Sequence, residues 1–271
     1  MKKNSEVPRA MFGNNEYWWA GLLIFFLFVA LNTVIFLLRN NPRLSYAIAY
    51  VIAAYLLVYK ITEYIYWQAI GEHLHFPVEF SALSYFVFAI FTVFRLKKID
   101  GFASFTAILA GMFYSISFWV SPDSFISSIE TKFLFATAII NHHLLYTAGM
   151  LMLMNVRKFK PKNFYQHFIG AGLMVAYSWI IHLFTDYTAV EGKPIIIQIT
   201  DGSILNWLFH TENPTGGTLA LYYIVTVTLF CLIVAGYYGL NRLAVKRRVK
   251  RGLPEEYFPE RLSEVFKPCC D

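Results

Sequence analysis

Long apolar runs separated by short polar segments dominate the chain. A run of about 20 residues is long enough to cross a hydrocarbon core of roughly 30 Å. Seven runs meet this criterion, at 17–38, 44–67, 76–94, 101–120, 132–154, 165–185 and 217–240. We therefore predict an all-α, polytopic membrane protein with a seven-helix bundle over 17–240, an N-terminal segment over 1–16 and a basic tail over 241–271.

Composition agrees with the membrane class. Of the 271 residues, 57% are hydrophobic, 18% are aromatic and 15% are charged, which lies well outside the averages of soluble globular proteins. The first apolar run is also too long for the hydrophobic core of a cleaved signal peptide, which usually has about 7–15 residues. We interpret this run as a permanent helix.

Connections rich in lysine and arginine alternate with connections that have few of them. The first, third and fifth connections carry two, three and four of them, and the tail after residue 240 carries eight, whereas the other connections carry at most one. Basic residues are retained on the cytoplasmic side, so this pattern predicts a cytoplasmic C-terminus in the cell membrane. Seven spans then place the N-terminus outside, although the N-terminal segment itself carries three basic residues. The net charge of +6 then indicates contact with anionic membrane lipids as partners, and not with nucleic acid.

Polar residues inside the apolar runs are the candidates for function, because each is costly if it faces lipid. His142 and His143 lie near the middle of the fifth run. Lys60 and Glu63 lie three residues apart in the outer third of the second run, a spacing that favours an ion pair.

Four more polar residues belong to the predicted outer half. Glu79 and Ser81 open the third run, and His182 and Asp186 lie at the end of the sixth. We predict that one polar pocket in the outer half gathers these groups with Lys60, Glu63, His142 and His143. Structural roles stay open for each, such as a neutralising ion pair, an interfacial residue or a helix-dipole partner at Glu79.

Other polar features favour packing or remain undecided. Ala103, Ala107, Gly111 and Ser115 recur at four-residue intervals and predict a close helix contact without chemistry. The segment "EHLH" (72–75) lacks a fourth ligand at a defined spacing, so we predict no metal and no cofactor. The role of the terminal Cys269-Cys270 pair and the oligomeric state are left open, a homo-oligomer included.

Three segments carry a resemblance to a known family. They are "FPVEFSALSYFVFAIFTVF" (76–94), "NHHLLYTAGMLML" (141–153) and "YSWIIHLFTDYTAVEGKPIIIQITDGSILNWL" (177–208). In order and content they resemble the YwaF family of bacterial integral membrane proteins, which is related to transmembrane protein 164. Pro77, Lys193-Pro194 and Asn206-Trp207 fit the family's pattern, whereas Glu79 and Ser81 replace a His and a Cys.

The resemblance implies chemistry on lipids, either acyl transfer or ester hydrolysis. It implies Ser81 as nucleophile, His143 as general base, and Glu79 or Asp186 as the group that orients the histidine. Two alternatives stay open beside this interpretation. A pocket with this composition also suits the binding or transport of a proton or a small polar solute, and the bundle also suits a non-enzymatic membrane scaffold.

Overall fold

The computed structural model describes residues 18–71, 76–120, 122, 132–186, 193–205 and 215–266, without the side chains of 132–134. Over these residues the chain is all-helical and contains no strand. The segment "EHLH", the pair Asn206-Trp207 and the terminal cysteines lie outside the described residues.

Nine helices follow one another along the described chain. They are α1 (Trp18–Leu37), α2 (Pro42–Ala69), α3 (Phe80–Val93), α4 (Asp100–Val120), α5 (Lys132–Leu151), α6 (Tyr165–Phe184), α7 (Ile195–Thr200), α8 (Gly216–Lys250) and α9 (Leu262–Phe266). A π-helical turn (Met152–Val156) extends α5. Each of the seven predicted runs coincides with one of the helices α1 to α6 or with α8.

Five of the described helices are long and apolar enough to cross a membrane, namely α1, α2, α4, α6 and α8. Helix α3 has only 14 residues, since it begins after Pro77 and not at residue 76 as predicted. The helices therefore support a multi-pass integral membrane protein. The count of seven spans and the orientation of the termini stay predictions.

The first half of α8 exposes large apolar side chains. Leu221, Ile224 and Leu232 are each more than 60% exposed, and the buried residues of this helix begin only at Val234. A soluble monomer rarely exposes an apolar surface of this extent. The first half of α8 is therefore suited to contact acyl chains.

Helices α4 and α5 pack closely against each other. A Cβ atom added at Gly111 would lie 2.5 Å from the carbonyl oxygen of His142 and 2.5 Å from the Cβ atom of Tyr146. On α5, a Cβ atom at Gly149 would lie 3.0 Å from the carbonyl oxygen of Ser104. The small-residue stripe of α4 is thus confirmed as a packing surface, because larger side chains would force the two backbones apart.

The odd-numbered connections and the tail meet at one end of the bundle. Arg43 Nε donates to the carbonyl oxygen of Val265 at 3.2 Å, and the backbone N–H of Tyr257 donates to Val156 at 2.9 Å. We call this the basic end, formed by 38–41, 94–99, 157–164 and 251–266. The alternation of basic connections is therefore matched by their spatial grouping.

Two turns shape the basic end. Gly252 (φ 74°) ends α8, and the backbone N–H groups of Gly252 and Leu253 bond the carbonyl oxygens of Val249 and Arg248. Helix α8 thus extends beyond the predicted boundary at residue 240, and the chain then folds back to pack α9 against α2. Arg95 (φ 58°) ends α3 with the same bond pattern, although its Cβ makes that conformation cost about 1–2 kcal/mol.

Candidate functional site

The two adjacent histidines of α5 both bond back to their own helix. His142 Nδ1 lies 2.8 Å from the carbonyl oxygen of Ala138, and His143 Nδ1 lies 2.7 Å from that of Ile139. A carbonyl oxygen can only accept, so each Nδ1 must carry the proton and donate. In the neutral imidazole this leaves the lone pair on Nε2 of both rings.

His143 directs that lone pair at a serine of α4. Its Nε2 lies 3.3 Å from Ser115 Oγ, and Ser115 Oγ lies 2.8 Å from the carbonyl oxygen of Gly111. The serine hydroxyl can therefore donate either to its own helix or to the imidazole. Both residues are buried, with 5% and 4% of the surface of Ser115 and His143 exposed.

The close approach of α4 and α5 produces this pair. Gly111 lies one helical turn before Ser115, at a point where α4 and α5 leave no room for a Cβ atom. A serine one turn further along the same face then reaches the adjacent helix, because residues four apart share a face. The close approach of α4 and α5 therefore explains both the local packing and the contact of Ser115 with His143.

His142 lies between two tyrosines. Its ring stacks on that of Tyr114, with centroids 3.9 Å apart and an angle of 8° between the planes. On another side, the ring of Tyr85 of α3 meets it edge-on at 5.3 Å. His142 therefore ties α5 to both α3 and α4.

Lys60 and Glu63 continue the cluster on α2. Their side chains form the predicted ion pair, with Nζ and Oε2 2.5 Å apart and exposures of 14% and 20%. Lys60 Nζ also lies 4.8 Å from the centroid of the Tyr85 ring, within range of a cation–π contact. Three of the eight residues predicted for the pocket are thus linked, since Tyr85 contacts both His142 and Lys60, and Lys60 pairs with Glu63.

For the other predicted residues, different contacts are described, and their place in one pocket stays a prediction. Ser81 is half-buried in the first turn of α3, and among the described residues its hydroxyl has no hydrogen-bond partner. Glu79 immediately precedes α3 and makes no side-chain hydrogen bond that caps this helix. His182 meets the ring of Trp179 within α6, and Asp186 is exposed just after that helix.

The histidines therefore have different partners from those that the sequence predicted. The contacts described for His143 are with Ile139, Ser115 and the Tyr114 ring, and none of them is with Ser81 or Glu79. The catalytic assignment of Ser81, Glu79 and Asp186 stays a prediction. Ser115 is the functional candidate that sequence reasoning missed, because its place in a small-residue stripe explained it as packing.

We define the histidine cluster as Lys60, Glu63, Tyr85, Tyr114, Ser115, His142 and His143. No group of three or more His, Cys, Asp or Glu side chains in the described part of the chain is arranged to hold a metal ion. The cluster thus offers a base, a hydroxyl and an ion pair as its chemical groups. No family model, no curated protein and no solved structure matches the chain.

Proposed function

We propose that this multi-pass membrane protein catalyses acyl transfer or ester hydrolysis on membrane lipids at the histidine cluster. The observation that carries the proposal is the contact of His143 Nε2 with Ser115 Oγ at 3.3 Å. A serine hydroxyl becomes an effective nucleophile when an adjacent base accepts its proton. The bond of His143 Nδ1 to Ile139 presents the basic nitrogen to that hydroxyl.

In the proposed reaction, Ser115 Oγ attacks the carbonyl carbon of a lipid ester while its proton passes to His143 Nε2. Collapse of the tetrahedral intermediate breaks the ester bond, and the leaving lyso-lipid oxygen takes the proton from His143. An acyl-serine remains. Attack by water then releases a fatty acid, or attack by a second lyso-lipid yields a new phospholipid, with His143 again moving the proton.

The resemblance to the YwaF family supports the same class of reaction, and membership in that family is part of the proposal. It adds a second candidate nucleophile, since the family pattern aligns Ser81 with a reactive position. The geometry favours Ser115, because it is the serine within reach of His143.

A labelled-lipid assay tests the proposal. Purified protein is reconstituted in bilayers of a phospholipid with one isotopically labelled acyl chain, together with an unlabelled lyso-lipid. Mass spectrometry then follows labelled fatty acid, new lyso-lipid and exchanged phospholipid. We expect His143→Ala and Ser115→Ala each to lower the rate at least about 100-fold, the usual contribution of a general base.

Ser84→Ala is the matched control. Ser84 is also buried and also bonds a carbonyl oxygen four residues earlier, that of Phe80, but it does not contact either histidine. Its loss should leave the rate within about threefold. If Ser81→Ala abolishes turnover and Ser115→Ala does not, the nucleophile is Ser81. If the unmodified protein forms no acyl product, the enzymatic proposal is wrong.

The ion pair favours a second candidate function. Lys60 and Glu63 are largely buried beside Tyr85, and paired charges inside a membrane often lie on the path of a proton or a small polar solute. Flux of protons or of a small polar solute across the vesicle membrane would support this function if it is lost in Glu63→Gln and retained in His143→Ala. Absence of both acyl turnover and flux would leave the scaffold interpretation.

A further inference from the structure

A cavity of about 550 Å³ opens at the basic end, between the α3–α4 connection, the α5–α6 connection and α8. Its lining is strongly cationic. Two carboxylates, Asp100 and Glu256, face six cationic side chains, which are Lys97, Lys98, Arg157, Lys158, Lys160 and Lys162. Such an excess of positive charge around one cavity is an electrostatic site for an anion.

Part of this charge is neutralised within the protein. Arg157 bonds Asp100 at 2.5 Å and Glu256 at 2.6 Å, and Glu256 also lies 3.3 Å from Lys97. Lys158 is paired with Glu255. Both carboxylates that line the cavity are therefore already engaged in ion pairs.

Three lysines remain available for a ligand. Lys98, Lys160 and Lys162 are exposed, and in the described ranges no carboxylate lies within ion-pair distance of them. They converge on the cavity from two connections, since Lys98 precedes α4 and the other two precede α6. A single anion placed between them would contact both connections.

The 157–159 backbone, which lines the cavity and directly precedes Lys160, is held in place by side chains of α8. Asn241 of α8 donates to the carbonyl oxygens of Leu153 and Arg157 at 2.7 and 3.0 Å, and it accepts from the backbone N–H of Phe159 at 2.8 Å. Arg248 donates to the same Arg157 carbonyl oxygen at 2.7 Å. The 157–159 backbone is thus pre-organised, which lowers the entropy lost when a ligand binds.

A second cavity of about 410 Å³ adjoins the first and is mainly apolar. The two share Lys158, Phe159 and Tyr238. The second is also lined by Pro161 and by a stretch of α8 with two further cationic side chains, which comprises Gly239, Asn241, Arg242, Val245 and Lys246. A cationic cavity beside an apolar groove matches the two parts of a phospholipid. The helix ends that surround it, those of α4, α6 and α8, belong to candidate membrane spans.

We propose that the cationic cavity binds a phosphate group, carried either by an anionic phospholipid whose chain lies in the adjoining groove or by a free phosphate ion. Lysine ammonium groups bind phosphate oxygens through charge-assisted hydrogen bonds. A basic pocket between membrane helices is a recurrent form of lipid-headgroup site. The site lies at the basic end and does not depend on the proposed reaction at His143.

Binding to the full-length protein in mild detergent tests the proposal. Native mass spectrometry and thermal unfolding are measured with short-chain phosphatidic acid, with phosphatidylcholine and with inorganic phosphate. The test variant is K98Q/K160Q/K162Q. The matched control, R247Q/K250Q/R261Q, removes three exposed cationic side chains that line neither cavity, and K98R/K160R/K162R retains the charge.

We expect phosphatidic acid to bind the unmodified protein more tightly than phosphatidylcholine. The test variant should bind it at least about tenfold more weakly, since each lysine near an anionic headgroup adds to the attraction. The control and the arginine variant should stay within about threefold. Inorganic phosphate that stabilises the protein when phosphatidic acid does not would assign the site to the free ion.

Two results would overturn the proposal. One is equal loss of binding in the test and control variants, which would indicate diffuse attraction by the whole basic end. The other is an unmodified protein that shows no preference for either phosphate-bearing probe over phosphatidylcholine. Circular dichroism of the variants establishes that the helices are retained, because all the substituted side chains are exposed.

Discussion

The histidines of the histidine cluster and the arginine at the centre of the basic end have opposite kinds of partner. In the cluster, His142 and His143 bond helix carbonyl oxygens and stack on rings, and each keeps a lone pair on Nε2. At the basic end, Arg157 is only 2% exposed and bonds two carboxylates directly. Full charge at the basic end therefore joins segments of the chain, whereas the two histidines beside the Lys60–Glu63 ion pair each retain a basic atom for chemistry.

This difference has an energetic basis. Removing one partner of a buried ion pair leaves an unpaired charge in a region of low dielectric constant, which costs several kcal/mol. Removing a neutral hydrogen-bond partner costs about 1 kcal/mol. Substitution of the buried Arg157 should therefore affect stability most, and substitution of His143 should affect activity more than stability.

The largest effect is expected from Arg157→Ala. It leaves Asp100, whose side chain is 7% exposed, without its ion-pair partner. We expect the free energy of unfolding in detergent to fall by about 3–5 kcal/mol, as measured by denaturant titration. The adjacent Lys158→Ala breaks only an exposed pair and should cost less than about 1 kcal/mol.

Adding Asp100→Asn to Arg157→Ala should recover part of the lost free energy of unfolding, because a neutral amide then replaces the unpaired carboxylate. Equal stability of Arg157→Ala and Lys158→Ala would contradict burial of the Arg157 ion pairs as the source of the loss.

Gly111→Ala should have the next largest effect. Its Cβ would overlap the backbone of α5 at His142, and helix backbone cannot shift as a side-chain tip can. We expect a loss of about 1–3 kcal/mol in the free energy of unfolding, together with lower acyl turnover, since α4 and α5 must separate.

Gly172→Ala is the control in α6, where an added Cβ has no atom within 4 Å. It should leave stability unchanged or raise it by up to about 1 kcal/mol, because alanine is the better helix former. A destabilised Gly172→Ala with an unaffected Gly111→Ala would contradict the packing described for the α4–α5 contact.

Tyr114→Leu should produce a smaller change. It removes the ring stacked on His142, an interaction that contributes about 0.5–1.5 kcal/mol beyond burial. Tyr114→Phe retains the ring and should lose less. Thermal unfolding of both variants measures the difference, and an equal loss would show that the stacked ring contributes nothing.

The smallest effect on stability is expected for the ion pair of Lys193 and Asp201, which lies outside both regions. Partial burial alone would raise the pKa of Asp201, but the Lys193 ammonium and the hydrogen bonds from Ser203 hold that pKa below its usual value. The resulting stabilisation is present above the unfolded pKa of about 3.9 and is lost as the pH falls through the lower folded pKa.

Asp201→Asn removes this contribution at neutral pH. The melting temperatures of the unmodified and substituted proteins should therefore differ slightly at pH 7 and converge in acid. A difference that stays constant from pH 7 down to about pH 2 would argue against the ion pair as its source.

Sequence reasoning found part of the histidine cluster. The ion pair of Lys60 and Glu63 follows from their spacing on one helix, and it is confirmed. The pairing of His143 with Ser115 did not follow, because the two lie 28 residues apart and no local pattern relates them. The role of Arg157 was missed for a similar reason, since it was counted only as one charge of a basic connection.

The hydrophobic pattern by itself determined the all-helical, multi-pass class and the positions of the helices, because bilayer thickness imposes a length and a composition on each span. The glycine and alanine stripe determined that α4 packs closely. Which residues meet was decided only by the tertiary structure. Helix rotation and crossing set the side-chain contacts, and these depend on all the neighbouring helices at once.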